Sequence, residues 1–295
     1  MSLPLRLIVV SLCTPALLAC TPVGSDRTSN TTGSNISSSY QRLDATTSSG
    51  TSTLGGVALK LRTIPTATTL STSSGTLNHA TGATTINDGT YTLVDPDGYT
   101  ANGLLSDGVS TLISTPAQGF TGNYDFARVY SHSYFVSTVP HVATGVYGIV
   151  TQEADMPTTG TAVYNGEAQA SYSNTTSTFD MGGGTSQVSA DFASGTVNVS
   201  ANNFTVTNRD TSVAANVGFN GIKITGMKVF GNQFSGGQIT TERNGVNVNI
   251  INNSTQQSAI GRFFGLNTSG TPDEVGGIGY LKGSDGTLTT IFLAD

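Results

Sequence analysis

Between residues 124 and 135 the chain reads Tyr124-Asp125-Phe126-Ala127-Arg128-Val129-Tyr130-Ser131-His132-Ser133-Tyr134-Phe135. In an extended strand, side chains at every second position share a face. Tyr124, Phe126, Arg128, Tyr130, His132 and Tyr134 would then line up together. Arg128, Tyr130, His132 and Tyr134 are the candidate ligand-binding residues. Tyr and Arg are enriched at binding hot spots, and Tyr and His can ligate haem iron. Haem therefore belongs among the ligands such a face could serve. The same spacing equally suits a β face that packs one subdomain against another, with Tyr hydroxyls wet at its rim. Residue types alone do not choose between the two.

Elsewhere the chemistry is sparse. The three histidines are His79, His132 and His141, and none forms an HExxH or a Cys/His zinc pattern. No G-x-S-x-G or S-x-x-K motif occurs. Asp95-x-Asp97-Gly98 is a fragment of a calcium loop without its later ligands or closing Glu, and reads as a turn. The expectation is a protein that is not an enzyme, with no metal site and no resident cofactor. Net charge is −6 with no basic block, which argues against nucleic acid as a partner.

The N-terminus carries the most specific motif. Arg6 precedes an apolar stretch over 7–18 that is broken by Pro15. It is too short to span a bilayer as a helix and suits the apolar region of a secretory signal. Leu17-Leu18-Ala19-Cys20 follows, and resembles the lipobox of bacterial lipoproteins. The resemblance implies cleavage after residue 19, removal of Cys13 with the signal peptide, and lipidation of Cys20. It implies diacylglycerol on the Cys20 sulfur and usually a third acyl chain, as palmitate, on its amine. Several acyl chains hold a protein firmly on a membrane where one is marginal, because each buried methylene contributes about 0.8 kcal/mol. Thr21 in the position after Cys20 implies the outer membrane. Residues 20–52 are rich in Thr, Ser, Asn and Gly and poor in apolar side chains. They read as a lipidated flexible tether with a reach of about 30 Å.

The elements beyond the tether read as strands. Only 10% of the residues are charged, there are 36 Gly, and the good helix formers Lys, Glu and Arg are scarce. A length of 295 residues suggests roughly two domains. Val57, Leu59 and Leu61 alternate with Lys60 and Arg62, as in a half-buried strand. Apolar runs follow at 90–94, 109–115, 124–139 and 145–151, so that 53–155 is expected to form a small, handle-like β subdomain. From 156 the runs lie at 162–172, 188–192, 196–200, 204–207, 221–225, 228–234, 246–251, 259–264, 276–281 and 288–293, with Asp285-Gly286 as a hairpin turn. Many short antiparallel strands at even spacing predict an all-β fold, with 156–295 as a roughly eight-stranded antiparallel barrel. Phe263 and Phe264 must point to opposite faces, so only one can fill its interior. Thr, Ser and Asn interrupt most runs, which argues against an integral outer-membrane barrel.

Three stretches carry a family resemblance. Gly145-Val146-Tyr147-Gly148 with Met156-Pro157-Thr158-Thr159-Gly160 resembles the entry to the C-terminal barrel of transferrin-binding-protein-B-like surface lipoproteins. Ala190-Asp191-Phe192-Ala193-Ser194-Gly195-Thr196-Val197 resembles that family's second hairpin, and Gly261-Arg262-Phe263-Phe264-Gly265 with Glu274-Val275-Gly276-Gly277 resembles its closing motif. The stretch 266–273 departs by being longer than usual there. The resemblance covers about 120–295. It implies a surface-exposed lipoprotein of the outer membrane that binds a host or environmental protein, an iron carrier or haem. It further implies a lipoprotein translocator and a TonB-dependent receptor as partners. The sequence also accommodates a structural or accessory envelope lipoprotein without a small-molecule ligand.

Overall fold

Alternating Val, Leu and Ile among Thr, Ser and Gly leaves the backbone little choice but pleated strands. β-branched residues lose rotamer freedom in helices and pack well on a sheet, while glycines disfavour helix interiors. The computed structural model describes residues 40–43, 50–63, 66–81, 84–87, 92–95, 104–106, 110–114, 120–122, 124–136 and 139–295. The signal peptide, Cys20 and the tether up to residue 39 lie outside the described residues, so the lipidation reading stays an expectation. The described residues fall within one contact unit, Asn35–Asp295.

The first sheet contains β1 (Thr51–Thr63), β2 (Thr66–Asn78), β3 (Thr84–Asn87), β4 (Thr92–Asp95), β5 (Leu104–Ser106), β6 (Ser110–Ser114), β7 (Ala127–Val136) and β8 (Val139–Ile149). Its strand order is β4-β3-β2-β1-β8-β7-β6-β5. A single 3₁₀ turn, Glu153–Asp155, then leads into the second sheet. This holds β9 (Thr161–Asn174), β10 (Thr178–Asp191), β11 (Thr196–Asn202), β12 (Thr205–Asn208), β13 (Gly221–Phe230), β14 (Gln233–Arg243), β15 (Val246–Val248), β16 (Gln256–Phe264), β17 (Glu274–Lys282) and β18 (Gly286–Ala294). The order β11-β13-β14-β16-β17-β18-β9-β10, with β10 pairing back onto β11, closes an eight-stranded antiparallel barrel. Short β12 and β15 extend it at one end.

Several boundaries shift from the sequence reading. The run expected at 124–139 starts later, because Asp125 and Phe126 form a bend and β7 begins at Ala127. The run at 228–234 is split by a tight turn in which Gly231 takes φ 58°, so β13 ends at Phe230 and β14 begins at Gln233. The β17–β18 turn spans three residues, 283–285, rather than two. Strand β2 has no clear apolar alternation and pairs with β1 over its whole length. The expected tether also gives way early: Tyr40 and Leu43 are buried, and β1 starts at Thr51.

Inside the barrel, Tyr164, Met181, Phe234, Phe263 and Phe292 form one core. The rings of Phe234 and Phe263 lie 5.1 Å apart, and those of Phe192 and Phe263 5.7 Å apart. Phe264 belongs to a second core with Val57, Leu59, Val129 and Val146 of the first sheet and Ile278 and Leu293 of the barrel. The two neighbouring phenylalanines do divide between interior and exterior. Every residue of β17 from Glu274 to Leu281 is buried, because the barrel interior takes one face and the first sheet covers the other.

Candidate functional site

Strand register decides which face of β7 looks where, since directly paired residues share a face. Val129 pairs with Val146 of β8, and Val146 pairs with Val57 of β1. A Cβ placed on Gly276 of β17 would sit 2.8 Å from Val146, so this is the face that meets the barrel. The residues adjacent in sequence belong to the opposite face. Arg128 pairs with Tyr147, Tyr130 with Gly145, His132 with Ala143 and Tyr134 with His141. The four candidate residues thus hold register positions on the sheet face turned away from the barrel. The domain seam is made by the other face.

Two of those four side chains are described, and both are engaged within the sheet. Tyr130 is 0% exposed. Its ring covers Gly145, where a Cβ would come within 2.5 Å of it, and meets Tyr147 edge-on with centroids 5.7 Å apart. The Arg128 guanidinium donates to the carbonyl oxygens of Tyr124 and, at 2.7 Å, of Ala127. It closes the bend that launches β7. Tyr124 and Phe126 leave the expected common face altogether. Tyr124 donates its hydroxyl to the Leu293 carbonyl of β18 at 2.9 Å, and the Phe126 ring rests on Gly265.

The polar groups that converge here come from the barrel instead. Glu274 opens β17 and is fully buried. Its carboxylate accepts from the backbone N–H groups of Asp125, Phe126 (3.1 Å) and Ala127 (2.7 Å). Three successive amides thus converge on one buried carboxyl group. Glu167 of β9 accepts from the Thr121 and Gly122 amides at 2.8 and 2.9 Å and from the Thr121 hydroxyl at 2.7 Å. Two barrel side chains therefore clamp residues 121–122 and 125–127 and set the start of β7. Burial pushes the Glu274 carboxyl up to about 8, against the opposing pull of the Phe126 and Asp125 amides and of Arg128. Burial and then the neighbouring Asp125 and Asp295 push Asp273 up to about 6. Glu274 stood out in the sequence only as part of a motif, and Glu167 only as a polar position on an alternating strand. What gives them this role is a set of backbone amides outside the strand ladders at 121–122 and 125–127, which has no sequence signature.

On the same seam, the segment over 40–43 is strapped down. Tyr40 donates to Asp155 at 2.7 Å and accepts from the Gln152 amide at 2.8 Å, while Leu43 N–H donates to the Asp125 carbonyl and Arg42 pairs with Asp125 at 3.4 Å. Beside this strap lies a cavity of about 650 Å³, lined by Tyr40, Thr53, Val150, Gln152, Glu153 and Asn232 among others. Among the described residues no group of three His, Cys, Asp or Glu side chains is placed to hold a metal ion.

Comparison with known proteins bears on the barrel. Residues 156–294 match the family model described as the C-lobe and N-lobe beta barrels of Tf-binding protein B. Over these residues the barrel is similar to the barrels of that family. Similar solved structures include intact Ap-TbpB with its N and C lobes, at 17% identity and a TM-score of 0.49, over 81% of this chain and 45% of that one. Isotype 1 transferrin binding protein B from serogroup B Neisseria meningitidis is 16% identical with a TM-score of 0.47, over 81% of this chain and 43% of that one. A mutant of the vaccine antigen transferrin binding protein B from Haemophilus parasuis Hp5 is 17% identical with a TM-score of 0.49, over 81% of this chain and 44% of that one. The chain spans less than half of the length of each of these structures. No curated protein matches it.

The structure also accounts for the motifs that resemble this transferrin-binding-protein-B-like family. At Gly261 a Cβ would lie 2.2 Å from the Phe234 ring, so the barrel core closes only over a bare backbone. At Gly265 the backbone takes φ 60° and a Cβ would lie 2.2 Å from the Phe126 ring. A side chain there would be strained by the backbone and blocked by the ring. These residues build the barrel and its seam.

Proposed function

We propose that this chain is a binding lipoprotein of the outer membrane, held by a lipid on Cys20 and displayed at the cell surface. Its ligand is a host or environmental protein of the iron-carrier class, transferrin being the first to try. The observation that carries the reading is the family match over the whole barrel, in a family named for transferrin binding. The lipobox and tether fit the same role, with a translocator for display and a TonB-dependent receptor as the onward partner. The test is capture by the tagged full chain in mild detergent from serum and from spent growth medium, read by mass spectrometry and by an absorbance scan for haem. Saturable capture of an iron-carrying protein supports the proposal, whereas recovery of haem alone would shift the ligand class. Cys20→Ser should abolish palmitate labelling and release the protein from membranes; unchanged labelling would remove the anchor from the proposal.

A second reading has its own support. Arg128 and Tyr130 are engaged within the sheet. An accessory envelope lipoprotein without a small-molecule ligand would show the same features, and would capture nothing saturably in that experiment.

A further inference from the structure

Strand β1 has a neighbour on both sides along most of its length, but not at its start. It pairs with β2 from Thr51 onward and with β8 only from Leu54 onward, because β8 ends at Ile149. Beyond Ile149 the chain leaves the first sheet for the barrel. Val150 bridges to Phe264, and the Thr151 N–H donates to the Phe263 carbonyl at 3.0 Å. Over Thr51–Thr53 the sheet therefore has an open edge on the side that β8 has left, and no described strand takes its place.

Alternation decides which backbone groups that edge offers. In an antiparallel ladder the N–H and C=O of one residue point to the same neighbour, and those of the next residue point the other way. The Gly50 carbonyl accepts from the His79 N–H at 2.9 Å, so Gly50, Ser52 and Leu54 point toward β2. Strand β8 gives the same phase. The Ile149 N–H donates to the Phe126 carbonyl on the β7 side, so Gly148 points toward its partner Gly55 on β1. Thr51 and Thr53 thus each aim a donor and an acceptor at the open side, spaced as in a strand, and both residues are exposed. Unpaired edge groups of this kind are a template for a further extended chain.

This edge borders the cavity described above, since Thr51, Ser52 and Thr53 all line it. Other parts of the lining are held in place. Tyr40 is fixed by Asp155 and by the Gln152 amide, and Asn232 Nδ2 donates to the Thr151 carbonyl at 2.7 Å. A preformed site loses less freedom when a guest enters. A volume of about 650 Å³ falls in the range of sites that take small guests. Three residues of strand span only about 10 Å. The cavity therefore suits a short stretch of extended chain. Glu153 is the one charged side chain among the described lining residues, and it disfavours an acidic guest.

We propose that the start of β1 is a docking edge for a short, extended, non-acidic peptide segment of a partner protein, which continues the line of β8 and pairs with Thr51 and Thr53. The edge itself points to a peptide: donors and acceptors at strand spacing match another backbone, whereas a sugar or a small ion has no such repeat. The inference stands apart from the ligand proposed above and holds whether or not that ligand is an iron carrier. The test uses the full chain in mild detergent, ¹⁵N-labelled and titrated with the peptide acetyl-Ala-Ala-Lys-Ala-amide. The readouts are the Thr51 and Thr53 amide signals and their exchange with deuterated water. In the free chain these two amides should exchange at least tenfold faster than those of Ser52 and Leu54, which face β2. With peptide they should shift saturably and gain protection. The same peptide N-methylated at alternate residues, or with Asp in place of Lys, should bind at least tenfold more weakly. Thr53→Pro removes only an N–H on the open side, a position where a strand tolerates Pro. It should abolish peptide binding and leave the melting temperature within a few degrees of the parent. If that variant melts far lower, the N-methylated peptide decides by itself. The proposal is overturned if the Thr53 amide is already protected in the free chain, if the peptide gives no saturable shift, or if the N-methylated peptide binds as well. It is equally overturned if glucose or putrescine shifts these amides and the peptide does not.

Discussion

In the barrel each strand of the ring has a neighbour on both sides, whereas among the described residues the first sheet ends at β4 and β5. The two regions draw on the same Thr-, Ser- and Gly-rich chain and bury it differently. The barrel folds its apolar positions around an interior of Phe234, Phe263, Phe292 and Met181 that needs no other part of the molecule. The described apolar side chains of the first sheet belong to one cluster that it shares with the outside of the barrel. One of its faces leans on the outside of β16, β17 and β18, and its other face packs Tyr130 against Tyr147. Closure makes a region self-sufficient, and an open sheet borrows its core from a neighbour. The candidate binding residues sit on the half that depends on the other.

The sharpest way to break this comparison is to remove a ring strand. Deleting residues 288–295 takes away β18 with both its ladders, to β17 and to β9, and exposes two edges at once. Loss of all cooperative melting is expected, in the first sheet as well as the barrel, because Ile291 and Leu293 go too. Conversely, 156–295 expressed alone should give a β-type circular dichroism spectrum and a single melt. A molten product would show that the barrel also borrows its core.

The neighbouring phenylalanines sharpen it next. Phe263→Ala and Phe264→Ala should each cost the full chain about 3–5 kcal/mol in denaturant melts. In the 156–295 fragment Phe263→Ala should be the costlier of the two, since the first-sheet partners of Phe264 are then missing. Equal effects in the fragment would contradict the assignment of Phe264 to the seam.

Glu274→Ala strands three backbone N–H groups and should cost about 3 kcal/mol at pH 6, again in the full chain and much less in the fragment. The pH dependence has a definite sign. Glu274 and Asp273 titrate higher when folded, at about 8 and about 6, than ordinary carboxyls do. The folded chain holds these protons where the unfolded chain has released them. Their contribution is therefore full below about pH 4 and is lost as pH rises through about 6 and about 8. Melting temperature across pH 4–9 should fall along this course, and Asp273→Asn should flatten its lower part. A rise with pH would overturn the reading. The smallest effect is expected from Tyr280→Phe, which removes the 3.0 Å hydrogen bond from Thr68 and should cost about 1 kcal/mol in the same melts.

The sequence by itself determined the all-β class, the barrel and most of its strands. The reason is local: where one face of a strand is buried, alternation records it, as from Tyr164 to Tyr172 on β9, and turn residues such as Gly195 mark its ends. It also determined that Phe263 and Phe264 must part. It missed β2, whose Thr and Ser are held by pairing with β1 and not by their own pattern. The apolar run of β17 was legible as a strand, but that its outer face is covered by a second sheet follows only from the packing. The candidate face was the costliest assumption, because period two holds only while the chain stays extended, and the bend at Asp125 and Phe126 resets the phase. That bend and the two side chains that clamp it join residues up to 149 positions apart, and only the docking of the sheet on the barrel brings them together.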